Sequence, residues 1–329
     1  MKSLDLGRYA LSSCVAAAML AGCGGSQPPI GAPGAMPQSR AIATHADRGG
    51  SWMLPEAKGA DLLYVARGYK IVVFTYPKGR HVGTIDGLNV TSGICSDSQG
   101  NIFIPVGISP SQSTIYEYAH GGTTPIATLD DPGGATACSH DKTTGNLAVA
   151  NNGPSVAVFA NAQGTPTIYQ TSSVPAFYCA YDNLGNLFVD DGFASQALGE
   201  LPVGGDAFTE VPLSTSFYPM SLQWDSGHLA IASYTFSSQG PQPFYNVKIS
   251  GSEGIVGQPI YLATRTGRHP DVPTQFWVQG KTMIGPAPHK GGLPLIDFWE
   301  YPAGGNPTKT INLRSSTYTG FTVSIAPSR

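Results

Sequence analysis

The stretch Gly93–Leu129, GICSDSQGNIFIPVGISPSQSTIYEYAHGGTTPIATL, contains four short segments, GICSD, NIFIP, TIYEY and PIATL, in which apolar and polar residues alternate. Half-buried strands need this period of two, because successive side chains point to opposite faces of a sheet. The Asp, Asn and Gly between the segments are residues that build turns. The same pattern returns at a spacing of about 42 residues from Asp61 onward. One marker is a Gly-Asn or its equivalent before an alternating strand, at Gly100-Asn101, Gly145-Asn146, Gly185-Asn186 and Gly227-His228, then weakly at Gly280-Lys281. A second marker ends an aromatic or apolar strand in a glycine turn, six times, at Gly79, Gly121, Gly164, Gly204, Gly251 and Gly304.

Four short strands repeated at this period predict an all-β fold, a β-propeller of four-stranded blades in which each sheet buries both faces against its neighbours. Six markers predict six blades. Seven is the alternative, because the marker spacing stretches to 48 residues between Leu201 and Ile249 and 52 between Ile249 and Tyr301, leaving room for a further blade within Gly251–Gln279. The domain begins on a second-strand sequence, Leu62–Ala66, and finishes on a lone first-strand sequence, Gly320–Ser324. The C-terminal strand is therefore expected to complete the first blade and close the ring, leaving no open edge.

Upstream of the repeats the chain changes character. Lys2 and Arg8 precede an apolar run from Ala10 to Leu20, too short for the ~20 residues that cross a bilayer as a helix. The run ends in Leu20-Ala21-Gly22-Cys23, which resembles the lipobox of bacterial lipoproteins. That resemblance implies a signal peptide over residues 1–22 and lipid on Cys23, which becomes the new amino terminus and makes the membrane a partner. Two or three acyl chains at about 0.8 kcal/mol per buried methylene hold a protein stably. Gly24 follows, where an aspartate is the usual signal for inner-membrane retention, so an exported, lipid-anchored envelope protein at the outer membrane is expected. Residues 23–57 form a Gly-, Pro- and Ser-rich segment without periodicity, read as a flexible stalk whose Trp52, Met53 and Leu54 can pack on the domain; residues 58–329 are the propeller.

Composition agrees with this division. Charged residues make up 12% of the chain, while 41 glycines and 27 prolines favour turns and short strands over helices. Loss of residues 1–22 would remove Lys2, Arg8 and Asp5, leaving 16 basic against 20 acidic residues. A net charge near −4 argues against a nucleic-acid partner.

The Gly-Asn turn and the strand after it resemble the NHL and SMP-30/gluconolactonase-like group of propellers. The gluconolactonase-like members hold a divalent cation on the axis with a Glu, an Asn and an Asp from different blades. Asn151 and either Asp190 or Asp191 match two of these positions, whereas Glu117, Glu200, Glu300 and Glu210 fall in outer strands and leave the glutamate without a counterpart. A divalent cation is accordingly the one cofactor the resemblance implies, and no cofactor is expected from the residues themselves. No GxSxG, HExxH or phosphate loop is present, so no catalytic residue is assigned.

Residues that repeat read as structure, and those that occur once read as candidates for function. Asp97, Asp141, Asp182 and Asp225 precede their turns in successive blades and are expected to accept backbone N–H bonds across a hairpin. Cys95, Cys138 and Cys179 fall in the first strands of three blades and are expected to pack as small apolar thiols, because side-by-side pairing from equivalent positions is geometrically awkward. The connections between second and third strands hold Arg67, Asn151, Asp190, Asp191, Tyr234 and His289, a candidate ligand face in which the adjacent Asp190 and Asp191, like Asp130 and Asp131, have the chemistry to chelate a hard cation. The reading these residues favour is a non-enzymatic module that binds a protein or glycan. A metal-dependent lactonase-like hydrolase or lyase and a structural spacer are the alternatives.

Overall fold

The computed structural model describes residues 50–90, 93–171, 173–192, 194–234, 243–263, 275–287, 295–313 and 318–327. Cys23, His289 and Lys290 lie outside them. The strands form six antiparallel four-stranded sheets, one per predicted blade, arranged as a propeller. Blades 2 to 6 each run in chain order from the axis outward. Blade 3, for instance, is Ala137–His140, Leu147–Ala150, Ser155–Phe159 and Thr167–Gln170.

Ring closure follows the sequence. Gly320–Ser324 pairs with Leu62–Ala66, Leu62 opposite Ser324 and Ala66 opposite Gly320. Residues 68–74 pair instead with the strand His81–Val90, and the Tyr76 N–H donates to the Asp61 carbonyl, so the segment Leu62–Thr75 folds back on itself about Gly68 and supplies two arms of blade 1. Trp52–Met53 then adds a short outermost strand, pairing with Thr84 and Gly83, so the blade is four-stranded with Leu62–Thr75 counted as one strand and has five arms when its two halves are counted apart. A Cβ on Gly83 would sit 2.1 Å from the Met53 sulfur, so glycine is what lets this strand lie down. The ring thus takes in residues that the sequence places at the end of the stalk.

The core is divided by seams rather than gathered at one centre. Six clusters of buried apolar side chains each join neighbouring blades: Leu62, Ile71 and Ile102 between blades 1 and 2, Phe103 and Leu147 between 2 and 3, Ala148 and Leu187 between 3 and 4, Phe188 and Leu229 between 4 and 5, Phe244 and Trp299 between 5 and 6, and Phe298 and Phe321 between 6 and 1. Each large side chain buried this way contributes roughly 1.5–3 kcal/mol, so no blade is stable without both neighbours.

Both sequence markers occupy left-handed backbone. The glycines of the second marker have φ between 60° and 72°, and those of the first between 58° and 101°, a region that side chains with a Cβ rarely adopt. In the stretched part of the chain, Phe244 bridges Ile260 and Leu262 bridges Gly305, so the described residues after Gly251 lie along blades 5 and 6 and do not form a seventh sheet.

Candidate functional site

The end of the ring where first strands turn into second is saturated with hydrogen bonds. Asp97 accepts from the N–H groups of Gln99 and Asn101 and from the Asn101 amide, and Asp182 repeats the pattern with Leu184 and Asn186. Asp141 uses Thr143 and Thr144 instead. The carbonyl oxygens of Asn146 and Asn186 then accept from the N–H of Asn161 and Val203, tying this turn to the one between third and fourth strands. Asp225 departs from the set, accepting from Ser226 and lying 3.7 Å from His228.

The inner strands of all six blades line an axial channel with a cavity of about 240 Å³. Near the start of those strands the buried Gln275 side chain accepts from the N–H of Ile94 and Phe321 and donates to the Ile94 carbonyl, knitting blades 6, 1 and 2 together. The lining continues to Asp97, Ser98, Lys142, Asp182, Asn183 and Gln279, so its mouth lies among the turns between first and second strands. Lateral bonds stiffen the wall. Ser96 Oγ donates to the Val323 carbonyl, Ser139 Oγ accepts from the Tyr181 N–H, and the Gln223 amide bonds both backbone groups of Val278.

In blades 3, 4 and 5 the residue before the turn aspartate fills a seam. His140 stacks on Phe103 with ring centroids 5.8 Å apart, and Trp224 stacks on Phe188 at 6.5 Å. In the seam between blades 3 and 4 the corresponding pair is Tyr181 and the small Ala148, which leaves the tyrosine without a stacking partner there. Burial holds His140 below the usual histidine range, with Asp97 and Asp141 opposing. Tyr178 and Tyr181 also line the channel, 4% and 9% exposed. Burial pushes both hydroxyls up, so both stay protonated and able to donate as well as accept.

Of the ligand-face candidates among the described residues, Arg67, Asn151, Asp190, Asp191 and Tyr234, none lines this channel; His289 lies outside the described residues. Arg67 sits half-buried at the fold-back of the first blade and Tyr234 ends the second strand of blade 5, opposite Tyr218. Asn151 is buried and donates its amide N–H to Asp131 Oδ1 at 3.3 Å, across the joint between blades 2 and 3. Asp190 is fully buried and accepts from the Gly192 N–H, while Asp191 accepts from the Ala194 N–H. Asp131 Oδ2, Asn151 Oδ1 and Asp190 Oδ2 are buried with no hydrogen-bond donor among the described residues. Burial lifts the Asp131 carboxyl to about 6 against the Asn151 amide and the Gly133 N–H, and it drives Asp190 well above the usual carboxylate range. The partner of Asn151 is therefore Asp131 and not Asp190 or Asp191. Among the described residues no three His, Cys, Asp or Glu side chains are grouped to hold a metal.

The cysteines require a correction. Cys95 and Cys138 form a disulfide between the inner strands of blades 2 and 3, with Cα atoms 5.7 Å apart, and among the described residues Cys179 is left as a free, buried thiol. The expectation of unpaired thiols assumed equivalent positions, and they are not equivalent. Cys138 and Cys179 stand three residues before their turn aspartates, whereas Cys95 stands two before Asp97. In register, Cys138 faces Val149 and Cys179 faces Val189, each three residues past the marker Asn, while Cys95 faces Phe103, two past it. A one-residue slip turns a side chain to the other face of its sheet, here toward Cys138. The signal was the count from cysteine to aspartate.

No family model and no curated protein matches the chain. Among 1141 solved chains that match it in fold is the crystal structure of the major Malassezia sympodialis allergen Mala s 1, at a TM-score of 0.52 and 12% identity over 70% of this chain and 85% of that one. At this identity the likeness is one of fold, and one fold carries many functions.

Proposed function

We propose that this protein is an exported lipoprotein, held in the cell envelope by lipid on Cys23, whose propeller is a non-enzymatic binding module with its ligand site in the axial channel. The channel is the observation that carries the reading. It is open at one end, stitched by Gln275 near the other, and lined by residues of all six blades, with hydroxyl, amide or aromatic side chains from blades 2 to 6. A catalyst of the lactonase-like kind needs a carboxylate converging with other polar groups at one mouth. Here Asp97 and Asp182 are committed to their turns, and Asn151 is committed to Asp131. The Cys95–Cys138 disulfide supports export, because such bonds persist in oxidising compartments.

Two readouts on the full chain test this. Expressed in a bacterial host, the wild type is expected in the membrane fraction and Cys23→Ser in the soluble fraction; unchanged membrane association of the variant contradicts the anchor. Lactone substrates offered with divalent cations are expected to show no turnover above background. Turnover abolished by Asn151→Ala replaces the binding reading with an enzymatic one.

A further inference from the structure

We propose that the axial channel binds one ring of a neutral, polyhydroxylated ligand, a single sugar residue, entering through the turns between first and second strands. This rests on the reading of the propeller as a binding module and assigns its ligand class.

Size sets the first limit. A cavity of roughly 150 Å³ holds a benzene ring, so about 240 Å³ suits one ring with several substituents and is too small for a folded peptide segment. Charge sets the second. Among the described residues Lys142 is the one Lys or Arg in the lining, and it shares the mouth with the carboxylates of Asp97 and Asp182, so a phosphate or carboxylate gains no net attraction from them. Hydrogen-bonding capacity sets the third. The Tyr178 and Tyr181 hydroxyls have no hydrogen bond to another described residue, and Ser139 Oγ, which accepts from the Tyr181 N–H, retains its own proton to give. Hydroxyl groups donate and accept at once, and so does each hydroxyl of a sugar. An apolar occupant would leave these groups unsatisfied in a site sheltered from water, at a cost of about 1–3 kcal/mol for each. The aliphatic face of a sugar ring finds Leu222, Phe276, Trp277 and Val323, contributed to the lining by blades 5, 6 and 1, while those hydroxyls come from blades 3 and 4.

The test is fluorescence titration of the full chain, since Trp224 and Trp277 both line the channel. The probes are neutral monosaccharides, inorganic phosphate, and a short-chain fatty acid. At least one sugar is expected to saturate the signal with Kd at or below about 10 mM, in the affinity range of a few good hydrogen bonds. Tyr181→Phe keeps the ring packing and removes only the hydroxyl, and it is expected to weaken binding about five- to tenfold. Tyr178→Phe and Ser139→Ala serve as independent variants, each checked for an unchanged melting temperature. Saturation by phosphate or the fatty acid but by no sugar overturns the ligand class and leaves the binding module standing. Sugar binding that none of the three variants weakens places the site elsewhere and overturns the channel assignment. No saturation by any probe overturns the inference as well.

Discussion

The two ends of the ring use the same residue type in opposite ways. Where first strands turn into second, Asp97, Asp141 and Asp182 recur blade after blade with their oxygens bonded to turn N–H and hydroxyl groups. At the other end Asp131 and Asp190 occur once each, both buried, and each retains a carboxylate oxygen without a donor among the described residues. The recurring aspartates hold the hairpins in shape. The singular ones place a desolvated carboxyl where folding favours the neutral acid.

The wall between the two ends gives the largest expected effect. Cys95 and Cys138 lie 43 residues apart, and constraining a loop of that length stabilises by about 4 kcal/mol in the chain-entropy account. Cys95→Ala with Cys138→Ala is therefore expected to lower the urea midpoint sharply. Cys179→Ala, removing a buried thiol that donates to the Ala148 carbonyl and forms no covalent link, is expected to cost about 1–2 kcal/mol. Burial pushes the Cys179 thiol up to about 12, so it is expected to resist alkylation in the folded protein. Equal losses in the two variants would show that the crosslink adds nothing.

At the saturated end, Asp182→Ala deprives Leu184, Asn186 and the Asn186 amide of their acceptor and is expected to cost about 2–4 kcal/mol. The Asn186 bond to the Val203 N–H should loosen with it, which amide exchange at Val203 reads directly. A loss under about 0.5 kcal/mol, the usual range for an inconsequential surface change, would remove the distinction between the two ends.

Blade architecture was legible in the sequence because it is repeated. The marker glycines, the turn aspartates and the closing pair Leu62–Ala66 with Gly320–Ser324 each reflect a local requirement that recurs. What depends on a departure from the repeat was harder to see. The disulfide follows from a single missing residue between Cys95 and Asp97, and the two arms of Leu62–Thr75 from a fold-back at Gly68 that frees the outer edge for Trp52–Met53. The axial cavity was hidden for a third reason. It is built from inner-strand side chains such as Tyr181 and Gln275, whose convergence comes from ring closure and leaves no local signature, whereas Asn151, Asp190 and Asp191 stand out in the sequence because they depart from the repeat. The partner of Asn151 also comes from another blade, so no motif joins it to Asp131.

The most direct test of the contrast between the two ends is stability against pH for the wild type and Asp131→Asn. In the unfolded chain Asp131 titrates near 3.8 and in the ring near 6, so folding favours its protonated form. The stability it contributes is complete below about pH 4, falls as pH rises to about 6, and stays lost above that, a change on the order of 2 kcal/mol. Asparagine mimics the neutral acid and can bond the Asn151 amide in both directions. The variant is expected to lack this decline between pH 4 and 6 and to be the more stable protein at pH 8. A wild type and variant with parallel profiles, or a variant less stable at pH 8, would contradict the claim that Asp131 is held as a buried acid.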